Sequence, residues 1–343
     1  MINIGVIGCG QWGPNHIRIF SQLPNSRAVM CADLSGQRLK TIQENFPRVK
    51  TTTDYRDILK NADIHAVCIA SPTDTHFHFA EESLEHGKHV FCEKPLALKT
   101  EECAHLEQLA AQKKKVLMVG HVFLFNAGIR QLKEYIRSGE LGRVHYAHST
   151  RTNLGPFRYD VSALWDLAPH DISIFNYLFD SSPVNVSARG QKCLGTERDD
   201  LVFGTLEYPP KAPAEGNTVA HVHVSWIDPK KVRQITIVGE KKMVTWDDLD
   251  DVGPIKLYDK HVEKSSAYYL TYGEFKLLSK EGGITIPRVD LIEPLKTQDQ
   301  YFVDCVERGV PPDLADAGKG LDVVKTLIAL QNSIERHGAC VEL

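Results

Sequence analysis

The sequence predicts an α/β protein with two domains. Up to about residue 120, short continuous apolar runs alternate with helical patterns, which is typical of parallel strands covered on both faces. The first run ends at a glycine triplet, which marks a tight turn into a helix. From 184 to 246 the chain reads as consecutive strands with alternating apolar and polar residues. We therefore expect a doubly wound parallel sheet over residues 1–120 and, over 121–343, an α/β domain with a large, mostly antiparallel open sheet.

Length, composition and charge limit the classes of protein to which this chain can belong. A chain of 343 residues suits two domains better than one small core. With 24% charged residues and a net charge of −4, nothing favours nucleic acid or a membrane surface as a partner. No apolar run approaches the roughly 20 residues of a membrane span, and no basic segment precedes the first strand as in a signal peptide. We expect a cytoplasmic protein.

Cysteine and histidine spacing argues against disulfides and metal. No two cysteines form a C-x-x-C pair, and several lie within apolar runs, where a thiol behaves as a small buried apolar group. His221 and His223 share a strand face without an obvious third ligand, and His76, near His78, fits a cofactor loop better than a metal site. We expect reduced thiols and no metal. The cysteines are Cys9, Cys31, Cys68, Cys92, Cys103, Cys193, Cys305 and Cys340.

The first strand leads directly into a turn with G-x-G-x-x-G spacing and then into a helix. A dinucleotide pyrophosphate needs this order: Gly8 permits the turn, Gly10 lets the backbone approach the phosphates, and Gly13 lets the helix pack closely on the strand. The helix N-terminus adds unpaired N–H groups and a partial positive charge. The candidate cofactor-binding residues here are Gly8, Gly10, Gln11, Trp12 and Gly13. The turn predicts a site for a dinucleotide pyrophosphate.

The second apolar run, 28–32, ends in Asp33. This residue lies 20 positions beyond Gly13, where a carboxylate can hold the adenosine ribose hydroxyls. The same carboxylate would repel the extra phosphate of NADP, so the sequence favours NAD. The alternative is that Asp33 caps the following helix.

Strands and helices continue to alternate through the rest of the first domain. The predicted elements are a helix over 39–46, a strand over 65–70, a helix over 74–85, a strand over 88–92, a helix over 100–112 and a strand over 116–119. Ligands of a doubly wound sheet bind beyond the carboxyl ends of its strands. Besides the glycine turn, two loops occupy such ends, Ser71–His76 and Glu93–Pro95.

Lys94 directly follows a predicted strand, where a nicotinamide and its substrate would meet. A partly desolvated lysine at this place can hydrogen-bond a reacting hydroxyl and stabilise developing negative charge. The alternative is a solvated lysine at a strand end. Pro95 restricts the backbone beside it.

In the second domain the chemistry-bearing stretch is 165–171, which precedes a predicted helix over 169–179. Pro169 suits the first turn of a helix and disfavours a helical Ala168, so His170 is expected near the helix start and Asp166 just before it. A histidine at the positive helix end stays neutral and can accept a proton. The alternative is that Asp166 only caps the helix and His170 is a surface group. Other predicted elements are a helix over 129–137, a strand over 144–150 and helices over 298–308 and 320–337.

Taken together, these motifs resemble the Gfo/Idh/MocA oxidoreductases over essentially the whole chain. The motifs are the glycine fingerprint, Ser71-Pro72-Thr73 with His76, Glu93-Lys94-Pro95, Gly120-His121 with Phe125-Asn126, and Asp166 with His170-Asp171. Many members have a glycine two residues before the histidine, where this chain has Ala168. The resemblance implies a Rossmann domain followed by an α/β domain. It implies an NAD-dependent dehydrogenase in which Lys94 and His170 flank the carbon that exchanges hydride, with Asp166 close by. It also implies a homodimer or homotetramer formed through the open sheet.

The resemblance also implies roles for further residues. Those expected to bind the cofactor are Ser71, Pro72, Thr73, His76, Glu93 and Lys94. Those expected to bind substrate are His121, Asn126, Arg151, Asn153, Arg158, Tyr159, Trp165, Asp166 and His170.

Within the family, residues 151–156 and 165–171 resemble a nucleotide-sugar subgroup. Its members oxidise the 3-hydroxyl of UDP-N-acetylglucosamine or of its uronic acid and pass the ketone to a PLP aminotransferase, on the way to 2,3-diamino sugars of lipopolysaccharide or lipid A. Arg151 and Arg158 suit a diphosphate, and Tyr159 or Trp165 suits stacking on uracil or sugar. The alternatives are that these residues only shape the loop, that the substrate is a free polyol such as an inositol, or that the protein senses a dinucleotide without turnover.

Overall fold

The computed structural model describes residues 1–158, 160–210, 216–262, 279–290 and 292–343. The chain divides into two compact units. The first comprises Met1–Phe125 and Ile292–Lys325, and the second comprises Asn126–Leu291 and Thr326–Leu343. The break after Phe125 lies five residues beyond the predicted boundary. The predicted division assigns 292–325 to the second domain, whereas these residues pack with the first unit.

In the part of the chain that the structure describes, the first unit contains a six-stranded sheet in which every pair of neighbours is parallel. The strands are β1 (Ile2–Ile7), β2 (Ser26–Ala32), β3 (Lys50–Thr52), β4 (Ala66–Ile69), β5 (His89–Glu93) and β6 (Leu117–Gly120). Their order is β3-β2-β1-β4-β5-β6, which reverses beside β1, as in doubly wound folds. The predicted parallel sheet is confirmed, and the loops after β1, β4 and β5 leave the same edge.

Five helices join these strands among the described residues. They are α1 (Gly13–Gln22), α2 (Gly36–Asn45), α3 (Arg56–Lys60), α4 (His76–Glu85) and α5 (Thr100–Lys113). Short 3-10 turns cover Thr73–Thr75 and Val122–Phe125. Local chemistry sets the helix ends: Pro14 lies in the first turn of α1, and the Ser35 hydroxyl accepts the Arg38 N–H at the start of α2.

The second unit contains a nine-stranded sheet within the described residues. Its strands are β7 (Val144–Leu154), β8 (Asn185–Gln191), β9 (Leu201–Tyr208), β10 (Thr218–Ser225), β11 (Ile227–Gly239), β12 (Met243–Asp247), β13 (Ile255–Val262), β14 (Ser279–Thr285) and β15 (Val341–Glu342). The order is β14-β13-β12-β11-β7-β10-β9-β8-β15, and only the β7–β10 pair is parallel. The predicted mostly antiparallel sheet is confirmed.

Helices α6 (Ala127–Arg137) and α7 (Ala163–Phe179) belong to the second unit, and α7 packs on β9 and β10. The predicted start of α7 at residue 169 is wrong, because the helix begins six residues earlier and Pro169 lies inside it. Proline lacks the N–H that would bond the carbonyl four residues back, which costs helix stability. The buried residues Ala163, Leu164 and Ala168 offset this cost by packing on the core.

The C-terminal part of the chain adds α8 (Pro294–Arg308) and α9 (Ala317–Glu335). The ring of Phe302, in α8, packs against Phe20 and Phe91 at centroid distances of 6.5 and 5.6 Å. Leu295 and Val303 are buried beside it. This apolar face explains why residues 292–325 join the first unit: exposing it to water would be unfavourable.

The described helices and cysteines bear on membrane insertion and thiol chemistry. Among the described residues, no helix combines the length and apolar character needed to cross a bilayer. All eight cysteines are free thiols, and six are buried, where they behave as small apolar side chains. The described residues contain no group of three or more histidine, cysteine or acidic side chains placed to hold a metal ion.

Candidate active site

The glycine turn after β1 has the geometry that a dinucleotide requires. Gly8 has a φ of +95°, and a Cβ there would lie 2.6 Å from the Ala70 carbonyl oxygen. A Cβ on Gly13 would lie 2.0 Å from the Gly8 carbonyl oxygen, so α1 packs directly on the turn. At Gly10, by contrast, nothing lies within 4 Å of the Cβ position. Open space beside a helix N-terminus fits a pyrophosphate, so the residues present suit the cofactor.

Asp33 is fixed by backbone groups on both sides. Its Oδ2 accepts the Cys9 N–H at 2.7 Å, and its Oδ1 accepts the Ser35 N–H at 2.8 Å. Arg38 lies 3.5 Å from Oδ2 and is mostly exposed. Because the Ser35 hydroxyl occupies the cap of α2, Asp33 is not the N-cap of that helix. A ribose role for Asp33 stays a prediction.

His76 ties the loop after β4 to the loop after β5. Its Nδ1 lies 2.7 Å from the Pro95 carbonyl oxygen, and its Nε2 lies 3.0 Å from the Ser71 carbonyl oxygen. Burial lowers the pKa of this imidazole. Both ring nitrogens contact backbone carbonyl oxygens, so His76 supports the predicted cofactor loop from within the protein. In the same loop, the hydroxyls of Ser71 and Thr75 lie 2.7 Å apart, and Thr73 is buried.

At the end of β5, Glu93 is buried and Lys94 is half-buried. Oε2 of Glu93 accepts the Lys94 N–H at 3.2 Å, and Oε1 lies 3.0 Å from Nε2 of His16. Nδ1 of His16 lies 2.9 Å from Oδ2 of Asp299. Sequence reasoning missed His16 and Asp299. The available signal was the position of His16 on the apolar face of α1, four residues before Phe20.

His121 follows β6 beside this group. It is 1% exposed, and neither ring nitrogen has a hydrogen-bond partner among the described residues. Burial lowers its pKa to about 4, with Glu93 raising it and Lys94 lowering it by smaller amounts. The imidazole is therefore neutral near pH 7 and can donate one hydrogen bond and accept one.

In the second unit, Asp166 lies in the first turn of α7 and His170 lies four residues further along. Side chains at this spacing project from the same face of a helix. Because His170 is mid-helix, the predicted positive helix end beside it is absent. Arg158 donates to Oδ1 of Asp166 at 3.1 Å, and the indole N–H of Trp226 donates to Oδ2 at 3.3 Å. Sequence reasoning missed Trp226, which lies 60 residues from Asp166 in the chain.

Arg151 is placed differently from its predicted substrate role. It is 4% exposed and forms a bidentate ion pair with the buried Asp171, with nitrogen–oxygen distances of 2.8 and 3.1 Å. A guanidinium held in this way is a structural cation. In this structure its Nε and Nη2 bind a carboxylate of the fold, and the diphosphate role of Arg151 stays a prediction.

The remaining predicted substrate residues differ in exposure and partners. Asn126 caps α6 through its side-chain oxygen and donates to Asp248 at 3.3 Å. Asn153 donates to the Gly155 carbonyl at 2.5 Å. Trp165 is half-buried on α7. The prediction for Tyr159 lies outside the described residues. The structure thus brings Asp166, His170 and Arg158 together in the second unit, and Lys94, Glu93 and His121 together in the first.

Two parts of this chain match known protein families. Residues 2–121 match the family described as "Oxidoreductase family, NAD-binding Rossmann fold". Residues 129–245 match the family described as "GFO/IDH/MocA C-terminal domain". Together they cover more than half of the chain.

Curated relatives include dehydrogenases. The uncharacterized oxidoreductase YrbE of Bacillus subtilis is 31% identical over 193 residues, which are 54% of this chain and 56% of that protein. Inositol 2-dehydrogenase of Burkholderia multivorans is 32% identical over 244 residues, 69% of this chain and 65% of the relative. The chain thus spans between half and two thirds of the length of these relatives.

Among solved structures, UDP-N-acetylglucosamine 3-dehydrogenase GnnA from Acidithiobacillus ferrooxidans superimposes with a TM-score of 0.80. The match covers 98% of both chains at 22% identity. A likeness at this identity establishes a shared fold.

Proposed function

The chain belongs to the Gfo/Idh/MocA oxidoreductases, and from this premise we propose that it is an NAD-dependent dehydrogenase acting on a secondary hydroxyl of a sugar or polyol ring. The observation that supports this most directly is the placement of Asp166 and His170 four residues apart on one face of α7. Oxidising an alcohol requires removal of its proton, and a histidine next to a held carboxylate is suited to accept it.

In the proposed reaction, His170 accepts the hydroxyl proton. Asp166, which Arg158 and Trp226 hold, stabilises the imidazolium that forms. Lys94 donates a hydrogen bond to the reacting oxygen and stabilises its developing negative charge. When bound, NAD supplies the hydride acceptor. Gly8, Gly10 and Gly13 with the N-terminus of α1 would hold its pyrophosphate, and Asp33 would hold its adenosine ribose.

The first candidate substrate is UDP-N-acetylglucosamine, oxidised at its 3-hydroxyl. The resemblance of residues 151–156 and 165–171 to the nucleotide-sugar subgroup supports it, and the fold shared with GnnA is consistent with it. Arg158, with 33% of its side chain exposed, is the accessible arginine of this segment. On this proposal the product is a 3-keto sugar, which a PLP aminotransferase would consume, and the open sheet would join copies of the chain.

The second candidate is a free polyol of the inositol type. Two observations favour it: the relatives include inositol 2-dehydrogenase, and both arginines proposed for a diphosphate bind carboxylates of their own chain. An uncharged ring needs no cationic subsite, so these ion pairs would leave its binding unaffected.

One assay distinguishes the candidates. NADH formation is followed at 340 nm with UDP-N-acetylglucosamine, its uronic acid, free N-acetylglucosamine and myo-inositol, each with and without a PLP aminotransferase that removes the ketone. Coupling is needed because oxidation of a secondary alcohol by NAD is uphill. Turnover confined to UDP-sugars supports the first candidate, and turnover confined to myo-inositol supports the second. Absence of turnover with every alcohol, together with measurable NAD binding, would instead favour a dinucleotide sensor.

A further inference from the structure

A buried group of three ionisable side chains lies behind the loop that carries Lys94. His16 is fully buried in α1, Asp299 is fully buried in α8, and the side chain of Glu93, at the end of β5, is 11% exposed. The imidazole lies between the two carboxylates, with Nε2 3.0 Å from Glu93 and Nδ1 2.9 Å from Asp299. Residues 283 positions apart in the sequence therefore meet directly behind the lysine loop.

The charges in this group are defined by their contacts. Burial is the largest single influence and would lower the pKa of His16, but Asp299 and then Cys68 together outweigh it and raise that pKa well above its usual value. Burial would raise the pKa of Glu93, but His16 and then Lys94 outweigh it and lower that pKa. His16 is therefore an imidazolium and Glu93 a carboxylate near neutral pH. A buried ionic group is expensive to desolvate, so stability alone is a weak reason for it.

Glu93 is restrained from several directions. His16 binds one of its oxygens, and the Lys94 N–H binds the other. Gly120, paired with Glu93 across β5 and β6, has a Cβ position only 3.1 Å from the Glu93 carboxyl carbon. A larger residue at position 120 would crowd this carboxylate. Glu93 consequently has one orientation, and the backbone of Lys94 is bound to it.

We infer that His16 is a positioning residue for the dehydrogenase reaction: its imidazole, held by Asp299, fixes the Glu93 carboxylate and thereby the loop that presents Lys94. This inference rests on the proposed function, because it assumes that Lys94 acts on the reacting oxygen. His16 touches neither substrate nor cofactor in this scheme and acts only through Glu93. Displacing a catalytic group by about 1 Å can cost a hundredfold in rate, so loosening Glu93 is expected to lower kcat.

The two ring nitrogens of His16 allow the contacts to be separated. The side-chain nitrogen of glutamine reaches approximately as far as Nε2, and that of asparagine approximately as far as Nδ1. His16→Gln can therefore still donate to Glu93, whereas His16→Asn can still donate only to Asp299. Both variants replace the imidazolium by an uncharged amide, so both should melt at a lower temperature than the unchanged protein. Their difference in kcat reports on the contact with Glu93.

The experiment compares kcat, KM, the dissociation constant for NADH by fluorescence, and the melting temperature of both variants, with the best alcohol of the substrate panel. We expect His16→Gln to keep kcat within about threefold and His16→Asn to lose roughly tenfold or more, while NADH affinity stays within about twofold. Equal kcat in the two variants would overturn the positioning role. No turnover by the unchanged protein on any alcohol would overturn the proposed function and this inference with it, so the two failures are distinguishable.

A second variant tests the same contact if the His16 variants do not fold. Gly120→Ala places a methyl group against Glu93 and leaves His16 and Asp299 intact. We expect kcat to fall several-fold with unchanged NADH affinity, and an unchanged kcat would contradict the inference.

The matched controls for the two His16 variants are His105→Gln and His105→Asn, because His105 lies on α5 with about half of its side chain exposed. Neither control should change kcat.

Discussion

Arg158 and Asp166 form a hydrogen-bonded ion pair in which Nη1 of the arginine lies 3.1 Å from Oδ1 of the carboxylate. Trp226 donates to the other oxygen of Asp166, so the carboxylate is held from two sides. Nε of Arg158 also donates to Asp160 at 2.9 Å. An arginine shared between two carboxylates of its own chain is well placed to orient Asp166, which lies one helical turn before His170.

If Arg158 acts through Asp166, its removal should affect every substrate alike. We expect Arg158→Gln to lower kcat about tenfold or more with UDP-N-acetylglucosamine or myo-inositol, whichever is turned over, because Asp166 loses a donor. A rise in KM for the UDP-sugar, with kcat unchanged, would instead make Arg158 a diphosphate ligand. Steady-state kinetics on the substrate panel check this. Arg137→Gln, at an exposed pair with Glu134, is the matched control.

The Arg151–Asp171 pair makes a different prediction, about stability. Arg151→Met leaves the Asp171 carboxylate buried without its cation, which should lower the free energy of unfolding by about 3–5 kcal/mol. Adding Asp171→Leu removes the orphaned charge, so the double variant should recover most of the loss. Urea denaturation measures all three proteins. A stable Arg151→Met variant with a raised KM for UDP-sugars would support the predicted substrate role.

The fold was predictable from local patterns because continuous apolar strands and the glycine turn report directly on a buried parallel sheet. The start of α7 could not be predicted in this way, because Pro169 is a strong local signal for a helix start. The burial of Ala163 and Leu164 overrides that signal, and this burial depends on the tertiary core. The same limit applies to α8, whose apolar face is visible in the sequence while its partners, such as Phe91, are not.

In the candidate site, too, features set by local geometry could be predicted and contacts between distant residues could not. Residues fixed by local geometry, such as Gly8 and Gly13, lie as the sequence predicts, since one steric contact determines each. Contacts between distant residues could not be read from spacing: Asp299 lies 283 positions from His16, and Trp226 lies 60 from Asp166. Arg151 looked like an anion ligand because its sequence neighbours say nothing about the buried Asp171 that neutralises it.

The proposed proton acceptor and hydrogen-bond donor can be tested by truncation. We expect His170→Ala and Lys94→Ala to lose about a hundredfold or more in kcat, because positioned acid–base groups contribute at least that much. NADH affinity, measured by fluorescence, should fall far less than kcat, since neither residue forms the glycine turn that would hold the pyrophosphate. His145→Ala, at an exposed position of β7, should retain full activity. Full activity in both truncated variants would remove Lys94 and His170 from the mechanism.

His121 should make the protein sensitive to mild acid. Its pKa is about 4 in the folded protein because burial disfavours the charged ring, against 6.5 for an imidazole in water. Between these values the unfolded chain binds more protons, so stability is lost as pH falls from 6.5 towards 4. His16 does not contribute to this window, because its pKa is raised and its titration therefore lies above 6.5.

When the pH falls from 6 to 5, a group with a pKa of about 4 in the folded protein and 6.5 in the unfolded chain lowers the free energy of unfolding by about 1 kcal/mol. We therefore expect His121→Gln to lose about 1 kcal/mol less than the unchanged protein when urea unfolding is compared at pH 6 and pH 5. The control is His86→Gln, at an exposed position, which should follow the unchanged protein. Identical pH dependence in His121→Gln and the unchanged protein would mean that His121 is already solvated or paired in the folded state.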